Sequence, residues 1–244
     1  MSIRIAAGRF SIVEGQIREE GPWLGAFARP TAEDDERTLY VLVEPAVPGS
    51  EDICAQLVEV MGRLFQRENL SLTGALLRSL HAAHDNLRDW NRKSLREHQV
   101  GAGAGSLIVR GRTAFLAQVG PSLAFFFHDG GLTRLVPQEP AAEGPLGIAD
   151  DCRPDLWSFE LAPGDLLLVV SSRLDSAADQ ATVAGVLGRG PDDALAELYL
   201  LTRDFANFSA LLVSCFEQPD PAPEPAATEA ATAAMIQPPR SLKK

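Results

Sequence analysis

The chain has 244 residues, of which 45% are hydrophobic, and its formal net charge is −11. Such an acidic chain lacks the basic face that nucleic acids and anionic membrane surfaces attract, so neither is predicted as a partner. The three cysteines, Cys54, Cys152 and Cys215, are far apart and show no CxxC spacing. This pattern favours free thiols in a cytoplasmic protein over a disulfide framework or a zinc site. The N-terminus has no long apolar stretch, so neither a signal peptide nor a membrane span is predicted.

Two parts of the chain differ in composition. Residues 1–216 carry periodic hydrophobic segments, whereas 217–244 read EQPDPAPEPAATEAATAAMIQPPRSLKK. The second part has no aromatic residue and buries too little apolar surface to offset the entropy of ordering it. We therefore predict one domain over 1–216 and a disordered tail over 217–244. An inert tail is the favoured interpretation, and a short docking segment around Met235 and Ile236 is the alternative.

The first half of the domain predicts a strand and then two helices. Residues 38–43 (TLYVLV) are rich in strand formers. Apolar residues recur at helical spacing over 51–68 and again over 71–97. Ser50, followed by two acidic residues, is typical of a helix start. We expect the two helices to form an antiparallel pair.

The second half predicts strands joined by turn signals, and then a further helix pair. Strands are predicted at 106–110, 112–119, 122–127, 156–161, 166–171 and 208–216, and helices at 176–187 and 191–205. Helices grouped between sets of antiparallel strands favour an α+β sandwich built in layers.

Several short motifs suggest a binding site. GAGAGS at 101–106 looks like a phosphate-binding loop, but it follows a predicted helix and precedes a predicted strand. A nucleotide-binding loop has the opposite order, so we favour a flexible turn. His81 and His84 have the spacing of two ligands on one helix face, with His98 further on. No Glu or Cys completes a metal pattern, which favours ordinary histidines.

Three other polar features receive structural interpretations. The acidic run 33–36 contains ligands suited to a hard cation, although adjacent acids on a loop usually form a solvated surface. Asp165 lies in a Pro-Gly-Asp turn sequence. Ser171 and Ser172 have no histidine nearby, and no GxSxG motif is present. The residues alone therefore define no catalytic constellation.

Five short blocks follow one another in a distinctive order. They are LYVLVEP at 39–45, Gly105-Ser106-Leu107, Val119-Gly120-Pro121-Ser122-Leu123, PGDLLLVV followed by Ser171-Ser172-Arg173-Leu174, and Ala206-Asn207-Phe208-Ser209. Over about residues 20–216 this order resembles the PPM-type, metal-dependent Ser/Thr protein phosphatase family (type 2C). The resemblance implies a four-layer α-β-β-α sandwich, in which two antiparallel sheets are flanked by helix pairs. We expect apolar residues between the sheets, including Leu116, Phe126, Leu168 and Leu212.

The resemblance also implies a binuclear Mg²⁺ or Mn²⁺ centre that hydrolyses phosphoserine and phosphothreonine with carboxylate ligands. Here the chain departs from the family. Glu44 and Pro45 stand where the family has Asp-Gly on the first strand. Ser172 and Arg173 stand where it has the Asp-Gly of Ser-Asp-Gly-Leu. Arg173 is expected to occupy the vacated space as a fixed cation.

Two of the three remaining blocks have lost their acids as well. Pro121 replaces the Asp of Val-Gly-Asp-Ser, and Ala206 replaces the Asp of the last block, where Asn207 is retained. Arg29 with the acids at 33–36 is the nearest match to the family's phosphate-binding block, and it fits poorly. Of the matched metal-site positions, only Glu44 keeps a carboxylate.

We therefore predict a catalytically inactive domain without a cofactor, which binds or regulates a protein partner such as a phosphoprotein or a kinase system. The alternative is a divergent Mg- or Mn-dependent Ser/Thr phosphatase that uses displaced acids, namely Glu44, Asp175 and Asp204. The sequence does not distinguish the first prediction from a purely structural subunit.

Overall fold

The computed structural model describes residues 2–29, 37–67, 70–138 and 144–218. The strands are β1 (Ser2–Val13), β2 (Gln16–Arg18), β3 (Leu24–Arg29), β4 (Arg37–Pro45), β5 (Ala102–Arg110), β6 (Thr113–Val119), β7 (Leu123–His128), β8 (Gly131–Leu135), β9 (Asp155–Glu160), β10 (Leu166–Val170) and β11 (Phe208–Gln218). The helices are α1 (Glu51–Arg67), α2 (Leu72–Lys93), α3 (Leu174–Ala177), α4 (Gln180–Leu187) and α5 (Pro191–Thr202). The acidic run 33–36 and the tail from 219 lie outside the described residues.

The strands form two antiparallel sheets. One has the order β2-β1-β11-β10-β7-β8 and the other the order β3-β4-β5-β6-β9. α1 and α2 pack on the five-stranded sheet through residues such as Leu57, Met61 and Leu80. α4 and α5 pack on the six-stranded sheet through Val183 and Leu198, among others. The predicted α+β sandwich of two antiparallel sheets is thus confirmed. Within the described ranges, no helix is both long and apolar enough to cross a membrane.

A third apolar cluster fills the space between the sheets. Leu116 is buried in this cluster and Phe126 packs against it, as predicted. The prediction is wrong for Leu168 and Leu212, which face the helices on the outer side of the six-stranded sheet. Every residue of β10 is buried. Because both faces of such a strand are apolar, its sequence has no polar–apolar alternation. The sequence therefore does not indicate which residues face the helices and which face the other sheet.

Several element boundaries differ from the prediction. β1–β3 and β8 were not predicted. β2, β3 and β8 are short and contain few strand formers, whereas in β1 an Ala-Ala-Gly stretch interrupts the strand formers. α2 ends at Lys93, where Ser94 adopts an extended conformation. The helix predicted at 176–187 is interrupted, since the Asp179 side chain accepts from the Thr182 N–H and starts a new helix there.

The GAGAGS segment is part of β5, so its interpretation as a turn is wrong. A Cβ atom on Gly103 would lie 2.6 Å from Cδ of Pro121, and one on Gly105 would lie 2.5 Å from Cγ1 of Val169. The alternate residues Ala102 and Ala104 face α1 and α2. These glycines therefore let the neighbouring chain segments approach β5 more closely than side chains would allow.

Candidate functional site

One cavity collects most of the positions at which the chain departs from the phosphatase pattern. It is lined by Trp23, Val43, Glu44, Pro45, Glu51, Ser171, Ser172, Arg173, Asn207, Phe208 and Ser209. Glu44 lies near the end of β4, and Ser171 and Ser172 directly follow β10. The ends of strands from both sheets thus meet here. Pro121 instead packs against Gly103, the β5 residue paired with Glu44.

Glu44 is held by hydrogen bonds from the two serines. The Ser171 hydroxyl donates to Oε2 at 2.8 Å, and the Ser172 hydroxyl donates to the same oxygen at 3.0 Å. The Ser172 backbone N–H lies 3.0 Å from Oε1 and 3.1 Å from Oε2. Glu44 is only 6% exposed. Both carboxylate oxygens are therefore engaged by the protein itself.

The electrostatics of Glu44 are those of a buried acid. Burial raises the pKa of Glu44, and this effect outweighs the opposing influence of the Ser171 and Ser172 hydrogen bonds and of the Arg173 charge. A carboxylate that binds divalent cations must be ionised. Burial therefore makes ionisation of Glu44 less favourable than in water.

Arg173 does not fill the site as a fixed cation, so that expectation is wrong. Its side chain is exposed, although the residue contributes to the cavity wall. Arg173 precedes the short helix α3, and its backbone carbonyl accepts from the Ser176 hydroxyl at 2.7 Å. This surface position places its charge close enough to lower the pKa of Glu44 without enclosing the guanidinium.

Asn207 holds the turn between β1 and β2. Its Oδ1 accepts from the Glu14 N–H at 3.1 Å, and the Ala206 carbonyl accepts from the Gly15 N–H at 2.8 Å. Glu14 and Gly15 both have positive φ, at 53° and 76°. The retained asparagine therefore has a local structural role, which its sequence context alone could not reveal.

The displaced acids of the alternative prediction do not meet in this cavity. Asp175 forms a bidentate ion pair with Arg134, and both N–O distances are 2.8 Å. Asp204 is exposed on the turn after α5. Of the three candidates, only Glu44 is among the cavity-lining residues.

Glu51 is a second acidic residue in the cavity lining that the sequence did not predict as part of the site. It is the first residue of α1, and its backbone carbonyl accepts from Nε1 of Trp23 at 3.0 Å. Its position gave a signal, because the helix begins a few residues after the strand that carries Glu44. In the sequence, an acid at this position is explained by its favourable interaction with the start of α1, so its place in the cavity lining was not predicted.

The donor set does not fit a pair of divalent cations. Two hard cations require several oxygen ligands each, most of them charged. The cavity lining contains two acidic residues, Glu44 and Glu51, and both carboxylate oxygens of Glu44 already accept hydrogen bonds from the protein. In the described part of the chain, no group of three or more His, Cys, Asp or Glu residues is arranged to hold a metal.

The remaining sequence candidates lie elsewhere. His81 and His84 line a groove beside α2, and His98 is exposed beyond the end of that helix. Asp165 is buried in its turn, where it accepts from the Ala162 N–H at 2.8 Å and contacts Nδ1 of His128 at 2.7 Å. The three cysteines are free thiols.

Solved bacterial phosphatases superpose on almost the whole domain. The S. agalactiae serine/threonine phosphatase matches with a TM-score of 0.69 and 17% identity, covering 88% of this chain and 100% of that one. PppA, described as a key regulatory component of T6SS in Pseudomonas aeruginosa, matches with a TM-score of 0.64 and 19% identity, covering 88% of this chain and 99% of that one. The Mycobacterium tuberculosis serine/threonine phosphatase PstP/Ppp matches with a TM-score of 0.64 and 17% identity, covering 89% of this chain and 100% of that one. The PstP catalytic domain has also been solved in complex with 2 manganese ions.

These matches confirm the resemblance at the level of the fold, which is that of the PPM-type Ser/Thr phosphatases. No protein-family model matches the sequence, and no curated protein matches it significantly. With sequence identities this low, the comparisons support the architecture, and the chemistry must be argued from the residues of this chain.

Proposed function

We propose that this domain is a catalytically inactive, pseudophosphatase-like module that binds or regulates a protein partner. The observation that carries the proposal is the set of hydrogen bonds from Ser171 and Ser172 to Glu44. Where the phosphatase pattern has a second acid, this chain has a serine that donates to the first. The site is thereby converted from one that attracts cations into one that is satisfied internally.

The chemistry of phosphoester hydrolysis supports the same conclusion. A two-metal centre activates a water and stabilises the attacking and leaving oxygens. The lining residues of this cavity do not suit a pair of metals, because it offers no free pair of carboxylates.

A divergent Mg- or Mn-dependent phosphatase remains the second candidate function. Glu51 favours it, because this acid adds a carboxylate to the cavity beside Glu44. Against it, Asp175 is paired with Arg134, and the Glu44 carboxylate is buried. A metal would have to displace the serine hydroxyls before it reached Glu44.

Turnover experiments distinguish the two functions. We expect the purified protein to release no phosphate above background from phosphoserine and phosphothreonine peptides in Mn²⁺ or Mg²⁺. Turnover that Glu44→Ala or Glu51→Ala abolishes would instead establish the divergent phosphatase. Asp204→Asn is a matched control, because it also removes one acidic charge but lies outside the cavity lining.

The partner that suits this fold is a protein, such as a phosphoprotein or a component of a kinase system. We further propose a cytoplasmic location, which the three free thiols support. Affinity capture with the full chain and with a chain ending at Gln218 tests the partner and the contribution of the tail. Specific, stoichiometric recovery of one protein by both chains would support binding by the folded domain. Recovery by the full chain alone would assign binding to the tail.

A further inference from the structure

Residues 144–153 lie against α2 and are not among the residues of the candidate site. Four side chains of α2 make hydrogen bonds to the backbone of this segment, namely His81, His84, Arg88 and Asn91. Leu146 is fully buried and forms a β-bridge with Ala102 at the start of β5. The segment is therefore attached both to the helix and to the strand that runs beside Glu44.

Gly147 is the point where the segment and the helix approach most closely. Its φ is +83°, and a Cβ atom there would lie 2.5 Å from Cβ of Leu87. Its carbonyl accepts from Nδ2 of Asn91 at 3.0 Å, and its N–H donates to Nδ1 of His84 at 3.3 Å. Two helix side chains thus fix both backbone polar groups of a single residue.

His84 performs this role only when its imidazole is neutral. A backbone N–H is always a donor, so Nδ1 of His84 must carry the lone pair and Nε2 the proton. Protonation would place an N–H on both ring nitrogens, and Nδ1 would then face the Gly147 N–H without an acceptor. Gly147 is itself buried, so its N–H would lose its acceptor where an unpaired donor is costly.

His81 provides an internal comparison on the same helix. Its Nε2 lies 3.1 Å from the carbonyl oxygen of Cys152, which is always an acceptor. Nε2 therefore carries a proton in this contact, and a charged imidazole preserves it. Acidification should break the His84 contact while leaving the His81 contact intact.

The surroundings of His84 favour its neutral form. The titratable and charged side chains that share its groove are Arg78, His81, Asp85, Arg88, Asp150, Asp151, Cys152 and Arg153. Burial lowers the pKa of His84 from its usual 6.5, and the Arg88 charge lowers it further. Asp85 and Asp151 act in the opposite direction without reversing the shift.

We propose that His84 is an acid-sensitive latch that fixes the Gly147 N–H on α2 and releases this group when the imidazole is protonated. The folded state prefers the neutral imidazole, so the stabilisation from this contact is complete above the unfolded pKa and is lost as the pH falls below about 6.5. The contacts of His81, Arg88 and Asn91 with the segment do not depend on this proton, so the opening is local to Gly147.

The test is amide hydrogen exchange at Gly147 by NMR, between pH 7.5 and pH 5, corrected for the intrinsic exchange rate. In the full chain we expect protection of this amide to fall by up to about tenfold per pH unit below the unfolded pKa. His84→Asn keeps an uncharged side-chain acceptor and should abolish the pH dependence. The matched control His81→Asn should retain it.

Unchanged protection of the wild-type amide across this range would overturn the latch, as would a pH dependence that persists in His84→Asn. If that variant fails to fold, the wild-type imidazole supplies the test through its ¹⁵N shifts. The latch requires an unprotonated Nδ1 at pH 7.5 and loss of Gly147 protection in step with the titration of His84. A proton on Nδ1 at pH 7.5 would contradict it.

Discussion

Ser172 donates both its backbone N–H and its hydroxyl to the carboxylate of Glu44, at 3.0–3.1 Å. A second carboxylate at this position would place two acids together, and a bound cation or a shared proton would be needed to relieve their repulsion. The serine instead satisfies the acid in the absence of any cation. The pair Ser172 and Glu44 is therefore stable as a structural contact, and this is the physical basis for the proposed loss of metal chemistry.

The buried Glu44 carboxyl predicts a pH-dependent difference between the wild type and Glu44→Gln. Burial raises the pKa of Glu44, so the folded state favours the neutral acid. The resulting stability is greatest below the unfolded pKa of about 4.5 and is lost as the pH rises through the higher folded value. Glutamine is uncharged and nearly isosteric, so its advantage in thermal stability over the wild type should grow from pH 4 to pH 8.

Thermal unfolding of both proteins across this range measures the difference. Ser176→Ala is a suitable control for the loss of a side-chain hydrogen bond nearby, since Ser176 bonds only to a local carbonyl on the surface. A wild type that gains stability relative to Glu44→Gln as the pH rises would mean that the folded protein prefers an ionised Glu44.

The glycines of β5 predict a steric effect close to the site. Gly105→Val should destabilise the fold by about 1–3 kcal/mol through overpacking, because even a Cβ would lie 2.5 Å from Val169. Gly185→Ala is the control, since nothing lies within 4 Å of a Cβ there. Gly185 lies inside α4, so alanine should stabilise by about 0.5–1 kcal/mol. Chemical denaturation of both variants measures the change in the free energy of unfolding. An unchanged denaturation midpoint for Gly105→Val would contradict the close approach of Val169 to Gly105.

How much of the molecule the sequence predicts depends on the kind of signal available. Helical spacing predicted α1 and the presence of α2, and the order of the five sequence blocks predicted the two antiparallel sheets. The sequence did not predict that GAGAGS forms a strand, because glycine and alanine are poor strand formers and their role depends on a neighbouring chain segment. Nor did it predict the Asn207 contact with Glu14, whose partners are far apart in the chain.

The disordered tail was predicted to begin at residue 217, but the last strand of the domain extends two residues further. β11 continues to Gln218, and Glu217 pairs with Ile3 of β1. A chain ending at Gln218 should therefore unfold at nearly the same temperature as the full chain, since few buried contacts are expected from a Pro/Ala-rich segment. A drop of several degrees would show that the tail packs on the domain. Further truncation to residue 207 should be strongly destabilising, because it removes β11 altogether.

Calorimetric titration of the purified protein with Mn²⁺ tests the central claim most directly. The wild type should bind no pair of ions at micromolar affinity, because the cavity offers too few free carboxylates. The triple variant Ser172→Asp, Arg173→Gly and Ala206→Asp restores two acids and a small residue, and it should recover measurable affinity if the cleft is otherwise intact. Binding of two Mn²⁺ per wild-type chain at micromolar concentration would contradict the account and establish a metal centre at Glu44.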